Sequence, residues 1–203
     1  KSLTGLSNKF VIEEYHGNSK QVTFKGYQTG LSRCELADMM ILTYSKMRKK
    51  IRMTFLQAKF ERKKVQSPQT HQYSINRKQL FLLKNKPKIE GCRGFKPPTD
   101  LLSSALLETV GTFLFFYNNF ECRTTPKIEM FFCSAKRLEW PRNQTKSHRS
   151  KTNYKMPKPT TGKSEECLMA ENMRKFAENL YQLKIGTPLS LYPNDKSTKW
   201  VAS

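Results

Sequence analysis

Two short segments near the start of the chain favour extended backbone. Residues 10–15 and 21–27 are β-prone runs separated by a few polar residues. Gly17-Asn18 between them has the chemistry of a tight turn, because both residues tolerate backbone conformations that other residues avoid. The pattern predicts an N-terminal β-hairpin.

The next segment has apolar residues at steps of three and four, which is the spacing of one face of an α-helix. Ser32 followed three residues later by Glu35 has the spacing of a helix capping box. The pattern predicts a helix over residues 33–64, but residues 51–55 also alternate as a strand does. The second half of the segment therefore stays open between helix and strand. The apolar stripe consists of Met40, Tyr44, Met47, Ile51, Phe55 and Ala58.

Further elements are predicted in the middle of the chain. Residues 73–83 favour a strand, and the proline- and glycine-rich residues 84–98 favour an extended basic loop. Thr99-Asp100 then provides an N-cap for residues 101–118, the most apolar segment, which is expected to form the central core helix. In residues 127–133 the apolar Ile128, Met130 and Phe132 alternate with Glu129 and Phe131, which predicts another strand.

The last part of the chain begins with a basic tract. Residues 141–163 contain no acid and few apolar residues, which predicts an extended arm that does not fold alone. Ser164 then begins a helix that stops at Gly186. The tail after it is expected to dock on a neighbouring surface through Trp200. The apolar stripe of this helix consists of Met169, Met173, Phe176, Leu180 and Leu183.

Together these elements predict an α+β fold. We expect a small body with an N-terminal β-hairpin, about three helices and a few short strands, plus basic irregular extensions. Residues 1–140 form the body with its basic helix and loop, residues 141–163 the basic extended arm, and residues 164–203 the C-terminal amphipathic helix and docking tail. A length of 203 residues fits one domain of ordinary size with extensions.

The charge of the chain is concentrated in three blocks. Residues 46–64, 77–96 and 141–163 hold 23 basic and 2 acidic residues, a net +21 that equals the net charge of the whole chain. Lysine outnumbers arginine, which favours point contacts with phosphates over bidentate reading of base edges. A neutral body with three positive blocks predicts a surface that binds a polyanion.

Residues of these blocks are the candidate nucleic-acid contacts. Each block also holds an aromatic residue beside its charges. Phe95, placed between glycine and proline residues, is a candidate for stacking on a base, with anchoring of its own loop as the alternative. The candidates are Arg48, Lys49, Lys50, Arg52, Lys59, Arg62, Lys63, Lys64, Lys84, Lys86, Lys88, Arg93, Phe95, Lys96, Arg142, Lys146, Arg149, Lys151, Tyr154, Lys155, Lys158 and Lys163.

Signatures of catalysis and of cofactors are weak. The five cysteines and three histidines are widely spaced, so neither a zinc site nor a disulfide framework is indicated. Residues 161–164 resemble the end of a phosphate-binding loop, but Pro157 stands where that loop needs glycine. Glu13-Glu14 lies on a predicted strand, which directs the two carboxylates to opposite faces. We expect no catalytic residue, metal, cofactor or small-molecule substrate, and therefore no enzyme.

The compartment follows from weaker signals. Residues 101–120 are the one membrane candidate, but polar residues interrupt the run of about 20 apolar residues that a span requires. We therefore expect no membrane span. Unpaired, scattered cysteines favour buried thiols in a reducing intracellular compartment.

These patterns favour a non-catalytic structural component of a large ribonucleoprotein. A divergent ribosome, cytoplasmic or mitochondrial, is the leading case, in which the chain contacts rRNA phosphates and neighbouring proteins. One alternative is a nuclear DNA-binding or chromatin protein, which requires a helix that reads the major groove. A second alternative is a basic protein that lines an acidic protein polymer such as the microtubule lattice.

Overall fold

The fold is that of a computed structural model, which describes residues 8–15, 17, 20–119, 127–141, 149–155, 166–189 and 195–202. Within these residues the chain forms twelve β-strands and three α-helices. The strands are β1 (Asn8–Glu14), β2 (Gln21–Phe24), β3 (Ser32–Glu35), β4 (Met39–Ser45), β5 (Lys50–Glu61), β6 (Tyr73–Asn76), β7 (Glu90–Gly91), β8 (Gly111–Asn119), β9 (Lys127–Ser134), β10 (Arg149–Thr152), β11 (Met169–Ala170) and β12 (Thr187–Leu189). The helices are α1 (Arg77–Asn85), α2 (Met173–Tyr181) and α3 (Lys196–Ala202).

One large mixed sheet organises the described residues. Its strands follow the order β1-β4-β5-β8-β9-β11. β12 pairs with the beginning of β5, ahead of the residues of β5 that pair with β8. The β5–β8 pair is parallel, whereas the other pairs of this sheet are antiparallel. Two small sheets, β3-β2-β7 and β10-β6, accompany it. The predicted α+β body with an N-terminal hairpin is therefore wrong, and the fold is dominated by a seven-stranded sheet.

The two faces of the large sheet are covered differently. On one face Phe55, Phe113 and Phe131 join the largest apolar cluster, together with α1 and Tyr73 of β6. Tyr73 stacks on Phe115 with ring centroids 3.9 Å apart. This face therefore holds the larger of the two apolar clusters, and burial of apolar surface stabilises the fold.

The opposite face is covered at its centre by α2. Phe176 and Leu180 of α2 pack on Leu56, Leu114 and Phe132. The Phe132 and Phe176 rings lie 4.9 Å apart. Because α2 is short, Ile12, Phe60 and Ile128 at the margins of this face stay exposed.

The predicted hairpin is replaced by pairings between distant segments. β1 and β2 both form, but β1 pairs with β4, and β2 pairs with β3 and β7. The β1–β4 ladder has seven residue pairs, more than the four residues of β2 offer to any partner. A longer ladder with a deeper core outweighs the local turn signal.

The predicted helix over residues 33–64 is also wrong. The segment forms β3, β4 and β5 instead, and β4 and β5 are joined by a turn at residues 46–49 that contains no glycine or proline. Both faces of β5 are buried along residues 52–57, so the strand lacks simple polar–apolar alternation. Because β4 and β5 carry apolar residues on both faces, some of these residues lie three or four positions apart, which produced the false helical stripe.

Burial on both faces of a strand also explains why the core helix predicted over residues 101–118 is wrong. This segment begins with turns, passes through a 3-10 turn (Glu108–Val110) and becomes β8. Phe113 and Phe115 lie in the cluster of one face and Leu114 in that of the other. The aromatic enrichment of this run is the signal that favoured a strand.

The remaining elements were predicted with mixed success. The strand over residues 127–133 is confirmed as β9. The strand predicted over residues 73–83 is β6 only as far as Asn76, whose side chain accepts a hydrogen bond from the Lys78 amide and caps α1. The helix predicted to begin at Ser164 is α2, which begins at Met173 and has Asn172 as its N-cap.

Substituting Gly186 is expected to cost more stability than substituting Gly30. Both residues have left-handed φ, 95° and 104°, where a Cβ costs about 1–2 kcal/mol. At residue 186 the Cβ would also lie 2.7 Å from the Met53 carbonyl oxygen, whereas no described atom lies within 4 Å at residue 30. We expect a loss of about 3 kcal/mol or more for Gly186→Ala and about 1 kcal/mol for Gly30→Ala, measured by urea denaturation. Equal losses would contradict the close approach of residue 186 to β5.

Candidate nucleic-acid interface

β5 separates the first basic block into two groups. Arg48, Lys49 and Lys50 lie at the start of the strand, whereas Arg62, Lys63 and Lys64 follow its end. β5 has 12 residues, and a rise of about 3.3 Å per residue places its ends roughly 36 Å apart. A block that is continuous in sequence is therefore two patches in space.

The patch at the end of β5 surrounds a cleft of about 390 Å³. Lys63, Lys64, His71 and Lys151 are among its lining residues, and we call it the cationic cleft. Lys151 belongs to β10, which is held beside the end of β5 by its pairing with β6. The cleft therefore joins cations of the first and third basic blocks.

Glu61 anchors the base of the cationic cleft. Its carboxylate accepts hydrogen bonds from the amides of Lys63 at 3.2 Å and Ser74 at 3.4 Å. The Lys151 ammonium lies 3.3 Å from Glu61 Oε2. Burial alone would raise the pKa of Glu61, but these donors outweigh it and hold the pKa below its ordinary value of 4.5. Glu61 is therefore ionised at neutral pH and orders the turn that carries Lys63.

His71 contributes little charge to the cationic cleft at neutral pH. Burial lowers the pKa of His71 from the ordinary value of 6.5. Glu61, whose Oε2 lies 3.7 Å from His71 Nε2, only partly opposes this effect. Lys151 lowers the pKa further by repulsion between like charges. Three lysines line the cleft and one of them, Lys151, is paired with Glu61, so the cleft has a positive excess.

The second patch is the turn between β4 and β5. Lys46, Lys49 and Lys50 are exposed, and among the described residues none of the three is in an ion pair. Arg48 Nη1 donates to the Gln182 carbonyl at 3.2 Å, which fixes the turn against the end of α2. Lys49 adopts a left-handed φ of 48°. The patch presents charge from a braced hairpin turn.

Several candidate cations hold the fold together. Arg52 is buried and donates to the Gly186 carbonyl at 2.9 Å. Lys84 donates to the carbonyls of Lys136 and Leu138, and burial lowers its pKa. Lys86 donates to the Ala105 carbonyl at 2.8 Å, and Lys59 lies 3.8 Å from Asp38. These four side chains bind backbone or acid within the chain.

The two aromatic candidates are also buried. Phe95 is 9% exposed and contacts the rings of Tyr15 and Trp200. Tyr154 is 6% exposed, and its ring lies 5.3 Å from that of Phe131. Phe95 anchors its own loop, which was the alternative to base stacking. Trp200, from the predicted docking tail, lies on this chain's own body.

Twelve candidate side chains remain exposed, and four others lie outside the described residues. Arg142, Lys146, Lys158 and Lys163 belong to the second group. The basic tract over residues 141–163 is described only in part, and that part includes β10, in which Thr152 is buried. The exposed candidates are Arg48, Lys49, Lys50, Arg62, Lys63, Lys64, Lys88, Arg93, Lys96, Arg149, Lys151 and Lys155.

Sequence reasoning did not identify His71 or Lys20 as site residues. His71 stands alone in sequence and reaches the cationic cleft only through the turns that precede β6. Lys20 lies outside the three blocks, and its position over two aromatic rings depends on the approach of residues 15 and 95. No spacing rule could have connected either residue with its neighbours.

Other kinds of site have little support in the described part of the chain. No group of three His, Cys, Asp or Glu side chains there is placed to hold a metal ion. Cys34, Cys92, Cys133 and Cys167 are free thiols, and burial raises the pKa of Cys34 to about 12. None of the described helices has the length and apolar character to cross a membrane.

Comparison with known proteins gives no independent indication of function. We found no match of this chain to a protein-family model, to a curated protein or to a solved structure.

Neutralising Glu61 should remove a pH-dependent part of the stability. Because the folded pKa is lowered, the contribution of ionised Glu61 is complete above pH 4.5 and is lost as the pH falls through the lowered value. The Glu61→Gln variant should therefore be less stable than the parent at neutral pH, with a difference that shrinks at about pH 3. Urea denaturation of both proteins at the two pH values measures this.

Glu178→Gln is the matched control for Glu61→Gln. Glu178 forms an exposed pair with Arg174 on α2, and exposed pairs contribute little to stability. A stability difference for Glu61→Gln that does not change with pH would contradict the assigned role of the carboxylate.

Proposed function

We propose that this chain is a non-catalytic RNA-binding protein that contacts phosphates through the cationic cleft and the β4–β5 turn. In this proposal it is a structural component of a large ribonucleoprotein, with a cytoplasmic or mitochondrial ribosome as the leading case. The observation that carries the proposal is the cationic cleft, which is lined by lysines from two separate basic blocks.

The distribution of free charge supports phosphate binding. Among the described residues, Lys63 and Lys64 are exposed and their ammonium groups form no ion pair. Each cation that neutralises a phosphate releases condensed counterions, which favours association. The roughly 36 Å between the ends of β5 corresponds to about ten nucleotides of a stacked helical strand, which has one phosphate per ~3.4 Å of helix axis. One polyanion can therefore reach both patches.

The alternative of a DNA-reading protein has less support. It requires a helix that reads the major groove, and the segment predicted as a long basic helix, residues 33–64, consists of strands and turns. Recognition of the major groove usually places side chains of a helix, or of a two-stranded ribbon, against base edges. Lysine-rich loops at the ends of a strand suit backbone contacts, which carry no sequence information.

Removing two charges from the cationic cleft should weaken RNA binding in a salt-dependent manner. The double variant Lys63→Gln, Lys64→Gln is expected to flatten the slope of log K against log salt concentration by about 1.4, because each contact with single-stranded RNA contributes about 0.7. Fluorescence anisotropy with a labelled single-stranded RNA, titrated with salt, measures the slope.

The matched control is Arg174→Gln, Lys175→Gln. It removes the same charge from two exposed neighbours on α2 that are paired with Glu178 and Glu171. Its slope should stay close to that of the parent. Equal slopes for the two double variants would refute the cleft as the phosphate site. Tighter binding of duplex DNA or of polyglutamate than of RNA would refute RNA as the partner.

A further inference from the structure

A second cavity lies outside the cationic cleft and combines aromatic rings with cations. It has a volume of about 450 Å³, and its lining includes the aromatic rings of Tyr15, Phe95 and Trp200. We call it the aromatic cavity. The charged residues of its lining are Glu13, Lys20, Arg93 and Lys96.

Three separate segments bring the rings together. Tyr15 follows β1, Phe95 lies in the loop after β7, and Trp200 belongs to α3. Each pair of rings has its centroids 5.9–6.1 Å apart, with planes inclined by 61–78°. Such edge-to-face contacts hold aromatic rings in defined orientations. The cavity therefore has a rigid aromatic wall rather than a single flexible side chain.

The charges around this wall are mostly positive. The Lys20 ammonium lies 5.0 Å from the Tyr15 centroid, 5.1 Å from the Phe95 centroid and 3.5 Å from Glu13 Oε1. Arg93 and Lys96 are exposed at the rim, and neither is in an ion pair among the described residues. Three cations against one carboxylate favour an anionic ligand.

An aromatic wall by itself also suits a cationic ligand, because ring faces attract ammonium groups. Here the chain's own Lys20 already occupies the position over two rings. A second cation would meet repulsion from Lys20, Arg93 and Lys96. A ligand that combines a planar ring with negative charge avoids this repulsion, because its ring can contact the aromatic side chains and its charge can contact the cations.

We propose that the aromatic cavity binds a nucleotide, with the base against Trp200, the least buried of the three rings, and the phosphate against Arg93 and Lys96. Stacking of bases on aromatic side chains and contact of phosphates with arginine or lysine are the usual means of such recognition. The Lys20–Glu13 pair is open to solvent, with the two side chains 31% and 48% exposed, and such pairs hold their partners weakly. The Lys20 ammonium is therefore free to rotate off the rings and meet the phosphate.

The nucleotide has two sources, a free mononucleotide or an unpaired nucleotide of RNA. The RNA source rests on the proposed function, whereas the free source is independent of it. No residue that lines the aromatic cavity also lines the cationic cleft. Failure of one proposal is therefore distinguishable from failure of the other.

The first test uses small probes and isothermal titration calorimetry. Adenosine monophosphate should bind more tightly than ribose phosphate, which lacks the base, and than adenosine, which lacks the phosphate. Arg93→Gln, Lys96→Gln should weaken binding of adenosine monophosphate about tenfold or more, since charge-assisted contacts are lost. The control Arg174→Gln, Lys175→Gln, with the same change in charge, should leave it unchanged.

The ring wall is tested by Trp200→Leu, which removes an aromatic face and keeps an apolar side chain. It should reduce the affinity for adenosine monophosphate and leave the affinity for ribose phosphate unchanged. Thermal denaturation shows whether the variant stays folded. If it unfolds, the charge variants of Arg93 and Lys96 still decide the question.

The second test distinguishes the RNA source. The chain has two tryptophans, so Trp140→Phe leaves Trp200 as the sole indole reporter. Quenching of Trp200 by single-stranded RNA, reversed by Arg93→Gln, Lys96→Gln, would support an RNA nucleotide in the cavity. Quenching by mononucleotide alone would support the free source.

Three results would overturn the proposal. Ribose phosphate that binds as tightly as adenosine monophosphate would reduce the cavity to an anion site. Choline that binds in preference to both would make it a cation cage. Absence of any effect of mononucleotide and of RNA on Trp200 would leave the cavity without a nucleotide.

Discussion

The sheet depends on a change of partner along one edge of β5. β12 pairs with Ile51–Met53 of this strand in antiparallel fashion, and β8 pairs with it from Phe55 onward in parallel fashion. At the changeover Thr54 Oγ1 donates to the Thr109 carbonyl at 2.6 Å and lies 3.2 Å from the Thr112 hydroxyl. Buried polar groups near an interrupted ladder need such partners, because leaving them unpaired costs stability. The threonines allow two ladders of opposite direction to share one strand.

The same junction ties the C-terminal part of the chain to the sheet. Glu166 Oε1 accepts from the Thr109 amide and hydroxyl at 2.6 and 2.7 Å, and the Gly186 amide donates to the Thr109 hydroxyl at 2.9 Å. Arg52 then donates to the Gly186 carbonyl. One hydrogen-bonded network therefore links β5, the turn before β8 and the segments on either side of α2. Residues 166–189 contribute β11 and β12 to the sheet and are therefore not an appended helix.

This architecture also decides which cations are available to a partner. Lys63 and Lys64 lie in the turn beyond β5 and line the cationic cleft, whereas Arg52 and Lys84 donate hydrogen bonds to backbone carbonyls of the fold. Lysines that look equivalent in sequence therefore divide into structural donors and free surface charge. In the proposed function only the free group meets phosphates, so the relevant charge is smaller and more localised than the composition indicates.

The sequence alone predicted the amount of charge, its three blocks and the strand over residues 127–133, because charge depends on composition and residues 127–130 alternate polar and apolar side chains. It did not determine the sheet. β5 and β8 bury side chains on both faces, so their apolar pattern carries neither the period of a helix nor that of an ordinary strand. The positions of Lys151 in the cleft that Lys63 also lines, and of Lys20 over Tyr15, could not be predicted, because they depend on ladders between segments far apart in the chain. Local spacing cannot encode the distance between residues that meet through a sheet.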